Sequence, residues 1–300
     1  EQFFNGYKHM KPNVRSFNGV LFAWTARVKA KPKGNVDPAQ RCEKLLAYFE
    51  SLSTKYPNEI DFQPDIFSYN SVISALAKAA KYDSSAARRA EALLLRIYDS
   101  SKKNKRVRPN TLTFSAVMNA LAQSREEGSA ERAEVLLRMM EKSYAKGARL
   151  MKPNVVCYSA IINAWAKSGK SGAAVRAERI LNRMLEMYKA TGDPDFYPNE
   201  ISFNSAINCW SSEAESEPTA ARRAELLVTR MKALHEEKFN DMQHRTRRRL
   251  KPNTRTWNAV MMAYVNSGAD NAVSRCENIL TNELENVYSD TGDTTFRPDA

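Results

Sequence analysis

Apolar residues recur along this chain at intervals of three and four rather than in strict alternation, the spacing that gathers them on one face of an α-helix. Val155, Tyr158, Ile161, Ile162 and Trp165 share such a face, and Ala177, Leu181, Met184 and Tyr188 share another a short way on. The pattern predicts an all-α chain in which helices follow one another in pairs.

The punctuation between these helices repeats. A set of Pro-Asn and Pro-Asp pairs recurs at Pro12, Pro64, Pro109, Pro153, Pro198, Pro252 and Pro298, at spacings of 52, 45, 44, 45, 54 and 46 residues. Each of the first six is followed by helical text of one design, VRSFNGVLFAW from Val14 through TRTWNAVMMAY from Thr254, with a ring at Phe17, Tyr69, Phe114, Tyr158, Phe203 and Trp257. A second signature, Arg, then Ala or Cys, then Glu, begins at Arg41, Arg89, Arg132, Arg176, Arg223 and Arg275 and leads into Leu- and Met-rich helix. Six helix-turn-helix repeats are predicted, at 14–65, 66–110, 111–154, 155–199, 200–253 and 254–299, with 1–13 as the end of a preceding repeat or a flank.

One helix pair cannot bury its apolar faces alone, so successive pairs should stack around a continuous core as an α-solenoid. The Pro suits the first turn of each first helix, where an amide hydrogen would have no partner, and the Asn or Asp beside it can cap that helix. Residues between each second helix and the next Pro either prolong the helix or form a loop. Thr191–Tyr197 and Thr291–Arg297 are the clearest loops, with Gly192 and Gly292 as helix stops.

Charge adds a partner class. The 300 residues carry 46 Lys and Arg against 34 Asp and Glu, a formal net charge of +12, which favours polyanions such as nucleic acid or an acidic membrane surface. Cys42, Cys157, Cys209 and Cys276 are far apart without a CxxC spacing, and the histidines are His9, His235 and His244, so neither a metal site nor a Cys/His catalytic pair is expected. Cys42 and Cys276 stand where the other second helices carry Ala, a packing position. No apolar run approaches the roughly 18 residues of a membrane span, so a soluble protein without a cofactor is expected. The start at Glu1 and the stop at Ala300 read as trimmed ends, which puts any targeting peptide outside the sequence.

The stretch Pro-Asn-Val-Val-Cys-Tyr-Ser-Ala-Ile-Ile-Asn-Ala-Trp-Ala-Lys-Ser-Gly, Pro153 to Gly169, resembles the pentatricopeptide repeat family. Six such segments in register, each followed by an Arg/small/Glu helix, extend the resemblance over essentially the whole chain, although these repeats are longer than the family's. The resemblance implies a right-handed superhelix whose first helices line a concave face and read single-stranded RNA at one base per repeat. It implies base-reading pairs at Asn18 with Asp65, Asn70 with Asn110, Ser115 with Asn154, Ser159 with Asn199, Asn204 with Asn253, and Asn258 with Asp299. Asn offers donor and acceptor and suits pyrimidines, Ser leaves room for purines, and Asp favours a base edge with a donor; across the six repeats the resemblance then implies UCAACU, 5′ to 3′.

Each base should be wedged between residues at Arg15, Phe67, Leu112, Val156, Ile201 and Arg255. The middle four fit the family; the two arginines depart from it, though a guanidinium plane can stack on a base. The family's phosphate-contacting lysine appears as Lys78 and Lys167, while Gln123, Ser212 and Asn266 replace it elsewhere. Three basic clusters are expected to compensate in charge: Lys102, Lys103, Lys105, Arg106 and Arg108; Lys142, Lys146, Arg149 and Lys152; Arg245, Arg247, Arg248, Arg249 and Lys251. By resemblance the protein acts in a mitochondrion or chloroplast on RNA stability, processing or translation, alone or within a ribosomal or RNA-processing complex.

Plainer readings stand beside these. Asn and Asp after Pro serve as helix caps, and basic residues at helix ends complement the helix dipole. Trp24, Trp165 and Trp210 share one helix position and read as core. The Arg and Glu of the second helices read as solvated or as inter-repeat ion pairs. A protein-binding solenoid scaffold and a structural subunit of an organellar ribosome are the rival functions. An enzyme is not expected, because the nuclease or zinc deaminase domains that some relatives append have no counterpart here.

Overall fold

The computed structural model describes residues 12–28, 37–239 and 250–285. Among them every regular element is helical. The first helices are α1 (Val14–Arg27), α3 (Ile66–Ala79), α5 (Thr111–Ser124), α7 (Val155–Ser168), α9 (Glu200–Glu213) and α11 (Thr254–Ser267). The second helices are α2 (Pro38–Lys55), α4 (Ser85–Ser100), α6 (Ser129–Ala145), α8 (Ala173–Thr191), α10 (Ala220–Phe239) and α12 (Ala272–Ile279), the last running on into a π-turn at Leu280–Glu285. No described helix is long and apolar enough to cross a membrane.

The chain divides into two compact units, 1–152 and 153–300. Within each, every first helix packs against its own second helix, and successive first helices pack side by side, α1 with α3 with α5 and α7 with α9 with α11. Each unit is thus a stack of helix pairs, the α-solenoid arrangement.

Helix starts follow the local chemistry. Asn13, Asp65, Asn110, Asn154, Asn199 and Asn253 are all N-caps with extended backbone, and in five of them a Ser or Thr at the third helical position returns the bond in a capping box. Cys157 takes that position in α7, so Asn154 caps the N–H groups of Val156 and Cys157 without reciprocation. One expectation needs correcting: the Pro precedes the cap and lies outside the first turn. Pro64, Pro109, Pro153, Pro198 and Pro252 are buried, so the ring serves as packing surface beside the cap.

The core is built from the expected faces. Phe114, Tyr158 and Phe203 are fully buried, as are Ala90, Ala133, Ala177 and Ala224 of the Arg/small/Glu signature and Cys42 in its place. Burial pushes the Cys157 thiol up to about 11 and the Cys209 thiol up to about 12, so both stay protonated at neutral pH. Trp165 and Trp210 are core, whereas Trp24 is only half-buried.

The Arg/small/Glu signature is an inter-repeat ladder. Within the first unit Arg89 pairs with Glu43 at 2.7 Å and Arg132 with Glu91; within the second Arg223 lies 3.6 Å from Glu178 and Arg275 pairs with Glu225. Each arginine reaches the signature glutamate of the preceding pair. Aromatic handles join the same carboxylates: Trp210 Nε1 donates to Glu178 at 2.9 Å and the Tyr264 hydroxyl donates to Glu225 at 2.5 Å. These pairs are partly exposed, which limits each to about 1 kcal/mol or less, so they set register more than stability.

The long period resolves into both alternatives at once. Second helices α2 to α10 extend to between 16 and 20 residues against 14 for the first helices. Then a single 3-10 turn precedes the next Pro, at Ile60–Phe62, Lys105–Val107, Arg149–Met151 and Pro194–Phe196. Its last residue is buried each time: Phe62, Val107, Met151 and Phe196, with Leu250 at the matching place before Pro252. Gly192 ends α8 in the left-handed region as expected; Thr291–Arg297 lies outside the described residues.

At the end of α5, Arg125 takes φ 54°, where α7 and α11 place Gly169 and Gly268 at the same turn. A side chain there costs roughly 1 kcal/mol, and Arg125 is exposed. Arg125→Gly is therefore expected to stabilise the first unit by about 1 kcal/mol, read as a rise in its urea midpoint; a fall would show that the arginine makes a contact worth more than the strain.

Candidate nucleic-acid interface

The first helices carry a recurring two-tier surface. Phe67, Leu112, Val156 and Ile201 stand at the second helical position and are 69%, 60%, 45% and 63% exposed. One turn on, three residues later and so on the same face, lie Asn70, Ser115, Ser159 and Asn204, each recessed to 7 or 8% exposure. Single exposed apolar residues are ordinary, but the same helix position left open four times in succession is a pattern. A flat ring sliding along those apolar side chains would meet a polar group at the floor. Arg15 and Arg255 hold the matching outer positions and are exposed, above half-buried Asn18 and Asn258.

Three of the expected pairs are brought together within a unit, Asn18 with Asp65, Asn70 with Asn110 and Asn204 with Asn253. Asn18 Nδ2 donates to Asp65 Oδ1 at 3.2 Å, and Ser68 Oγ, whose N–H is capped by Asp65, donates to Asn18 Oδ1 at 2.7 Å. Thr113 Oγ1 donates to Asn70 Oδ1 at 2.8 Å while its own N–H is capped by Asn110, so Asn70 and Asn110 are linked through one hydroxyl. Thr256 plays the same part between Asn204 and Asn253, at 2.9 Å from Asn204 Oδ1. The cap and base-edge readings of the Asn and Asp residues are therefore compatible, since the cap occupies one oxygen and leaves the rest of the head group at the surface. Ser115 Oγ donates to the Leu112 carbonyl at 3.1 Å. Ser159 Oγ is buried without a partner, a state that costs about 1–3 kcal/mol and that an incoming acceptor or donor would relieve. Asp299 lies outside the described residues.

The hydroxyl at the third helical position was not singled out from the sequence. Its signal was present, since Ser16, Ser68, Thr113, Ser202 and Thr256 recur there with Cys157 as the one exception.

The lysine position has a structural duty. Lys78 Nζ donates to the Thr25 carbonyl at the end of α1 at 3.0 Å, and Asn266, at the equivalent place in α11, donates to the Ser211 carbonyl at 3.1 Å. The position clamps one first helix to the next; the exposed Lys78 ammonium keeps two further donors. Lys167 is half-buried. Two of the basic clusters converge instead: Lys102, Arg108, Lys146 and Arg149 line one groove of about 680 Å³ beside Tyr98 and Ser143, with no carboxylate among its lining residues. Lys102 also bonds Asp99 at 2.8 Å. In the third cluster Lys251 is described, while Arg245, Arg247, Arg248 and Arg249 lie outside the described residues. Among the described residues no group of three or more His, Cys, Asp or Glu could hold a metal ion.

Residues 57–124, which span the turn before α3 through the end of α5, match the family model described as Pentatricopeptide repeat domain. No curated protein matches the chain.

Proposed function

We propose that this chain binds single-stranded RNA selectively, one base per repeat, a reading supported by the match of residues 57–124 to the family model described as Pentatricopeptide repeat domain. The observation that carries this reading is the two-tier surface: Phe67, Leu112, Val156 and Ile201 open to solvent, each above a recessed amide or hydroxyl. Peptide binding has no need of that pairing, whereas a base needs a stacking face and an edge partner together. With the paired residues as the only readers, the site is UCAACU. The groove of Lys102, Arg108, Lys146 and Arg149 offers the phosphates a cationic track where the helix-end lysines are few. The protein belongs in this reading to a mitochondrion or chloroplast, acting on RNA stability, processing or translation rather than as a catalyst.

The test is binding to UCAACU in an unstructured carrier against a permuted control, across a salt series, with Asn70, Ser115 and Ser159 exchanged one at a time. Selective binding that shifts at the second, third or fourth base with the matching exchange supports modular reading. Tight binding indifferent to sequence replaces it with an architectural role in an assembly such as an organellar ribosome, and absence of binding at low salt with a protein scaffold. The slope of log affinity against log salt counts phosphates at about 0.7 each.

A further inference from the structure

The fifth reading pair has a third member. Glu200, the first residue of α9 and half-buried, accepts at Oε1 from Asn204 Nδ2 at 3.3 Å and from Asn253 Nδ2 at 2.6 Å. Both amides are thereby turned one way. Their oxygens face Thr256, whose Oγ1 lies 2.9 Å from Asn204 Oδ1 and whose N–H donates to Asn253 Oδ1 at 3.1 Å. Reversing either amide would set a carbonyl oxygen against a carboxylate. The residues at the start of the other first helices, Val14, Ile66, Thr111, Val155 and Thr254, carry no charge and cannot impose this arrangement.

The arrangement decides what a base would meet. Each Nδ2 keeps a second hydrogen, and Glu200 Oε2 has no partner among the described residues, so the floor presents donor, acceptor, donor. The pairing edge of uracil runs acceptor, donor, acceptor through O4, N3–H and O2, and complements it at all three places. Cytosine sets the N3 lone pair against the carboxylate, a repulsion in a half-buried site. The first pair shows the same chemistry from another source, since Asn18 donates to the carboxylate of Asp65. We infer that Glu200 is a specificity-determining residue that makes the fifth repeat read uracil, changing the site from UCAACU to UCAAUU. This rests on the one-base-per-repeat reading proposed above.

Binding of the whole chain to UCAACU and UCAAUU, with single-base changes at positions two to four as internal controls, tests it in the native protein, Glu200→Val and Glu200→Gln. Val stands at the equivalent place in α1 and α7, so Glu200→Val is compatible with the helix start. The native protein should favour U at the fifth base by about tenfold or more, Glu200→Val should reverse that to C, and Glu200→Gln should abolish it, all with unchanged preferences at bases two to four. A native preference for C at the fifth base, or a U preference that survives Glu200→Val, overturns the role of Glu200 while leaving the general reading intact. Loss of discrimination at every position in the native protein overturns both.

Discussion

Phe196→Ala is expected to cost the second unit about 3–5 kcal/mol, the range for removing a fully buried phenylalanine that leaves a cavity behind it. Phe196 is wholly inaccessible, closes the 3-10 turn Pro194–Phe196, and meets the ring of Tyr158 edge-on at 6.2 Å between centroids. The turn is three residues long and its capping bonds are local, donated by the Asp195 N–H to Asp193 Oδ1 and by the Phe196 N–H to the Asp193 carbonyl. Urea unfolding of Phe196→Ala should show the loss in the transition of residues 153–300. The control is Ile60→Ala, in the equivalent turn of the first unit, where the side chain is 63% exposed and the expected change is within about 0.5 kcal/mol. A cost below about 1 kcal/mol for Phe196→Ala would mean that the long second helix, and not the buried turn residue, sets where the next first helix begins.

That turn marks the boundary of what the sequence disclosed. First-helix starts were legible because the signal is local: a Pro, then a capping Asn or Asp, then the first apolar residue, and α3 begins at Ile66 and α7 at Val155 in accord. The second-helix cores were legible from the Arg/small/Glu signature for the same reason. Their ends were not, because of the second helices α2, α4, α6 and α8 only α8 has a glycine at its C-cap, and Tyr56, Ser101 and Lys146 at the others are residues a helix accepts in its interior. The apolar residue two before each Pro, Phe62 through Leu250, was in plain sight, but a spacing measured forward from Pro passes over it.

The candidate site divides in the same way. That Asn70 or Asn204 lies recessed beneath an exposed apolar neighbour follows from a three-residue spacing on one helix, which sequence carries. Which atoms of that Asn remain available depends on residues one repeat away. Thr113 pins Asn70 across 43 residues, and Glu200 gathers Asn253 across 53. Such contacts exist only once neighbouring pairs are docked, so a two-residue reading of each repeat has no term for them. The Lys78 position shows the converse, since a residue chosen by resemblance for phosphate contact proves to be tied to the carbonyl of Thr25 as well.

The largest effect on binding is expected from removing the outer tier alone. In the fourfold variant Phe67→Ala, Leu112→Ala, Val156→Ala and Ile201→Ala, every side chain removed is at least 45% exposed, so little buried area is lost. The fold should hold to within about 1 kcal/mol by urea unfolding, and its helical circular dichroism should be unchanged. Stacking on aromatic side chains contributes about 1–3 kcal/mol per base, and three of the four here are aliphatic, which puts the low end of that range in force. At about 1 kcal/mol for each of four bases the variant should bind its RNA roughly a thousandfold more weakly. The salt slope should stay as it was, because no charge has been touched and the groove of Lys102, Arg108, Lys146 and Arg149 is intact. Those two readouts separate stacking from charge. Affinity retained within about tenfold would show that phosphate contacts dominate and that the exposed apolar tier serves a protein partner, whereas weaker binding with an unchanged slope would place the bases against these four side chains.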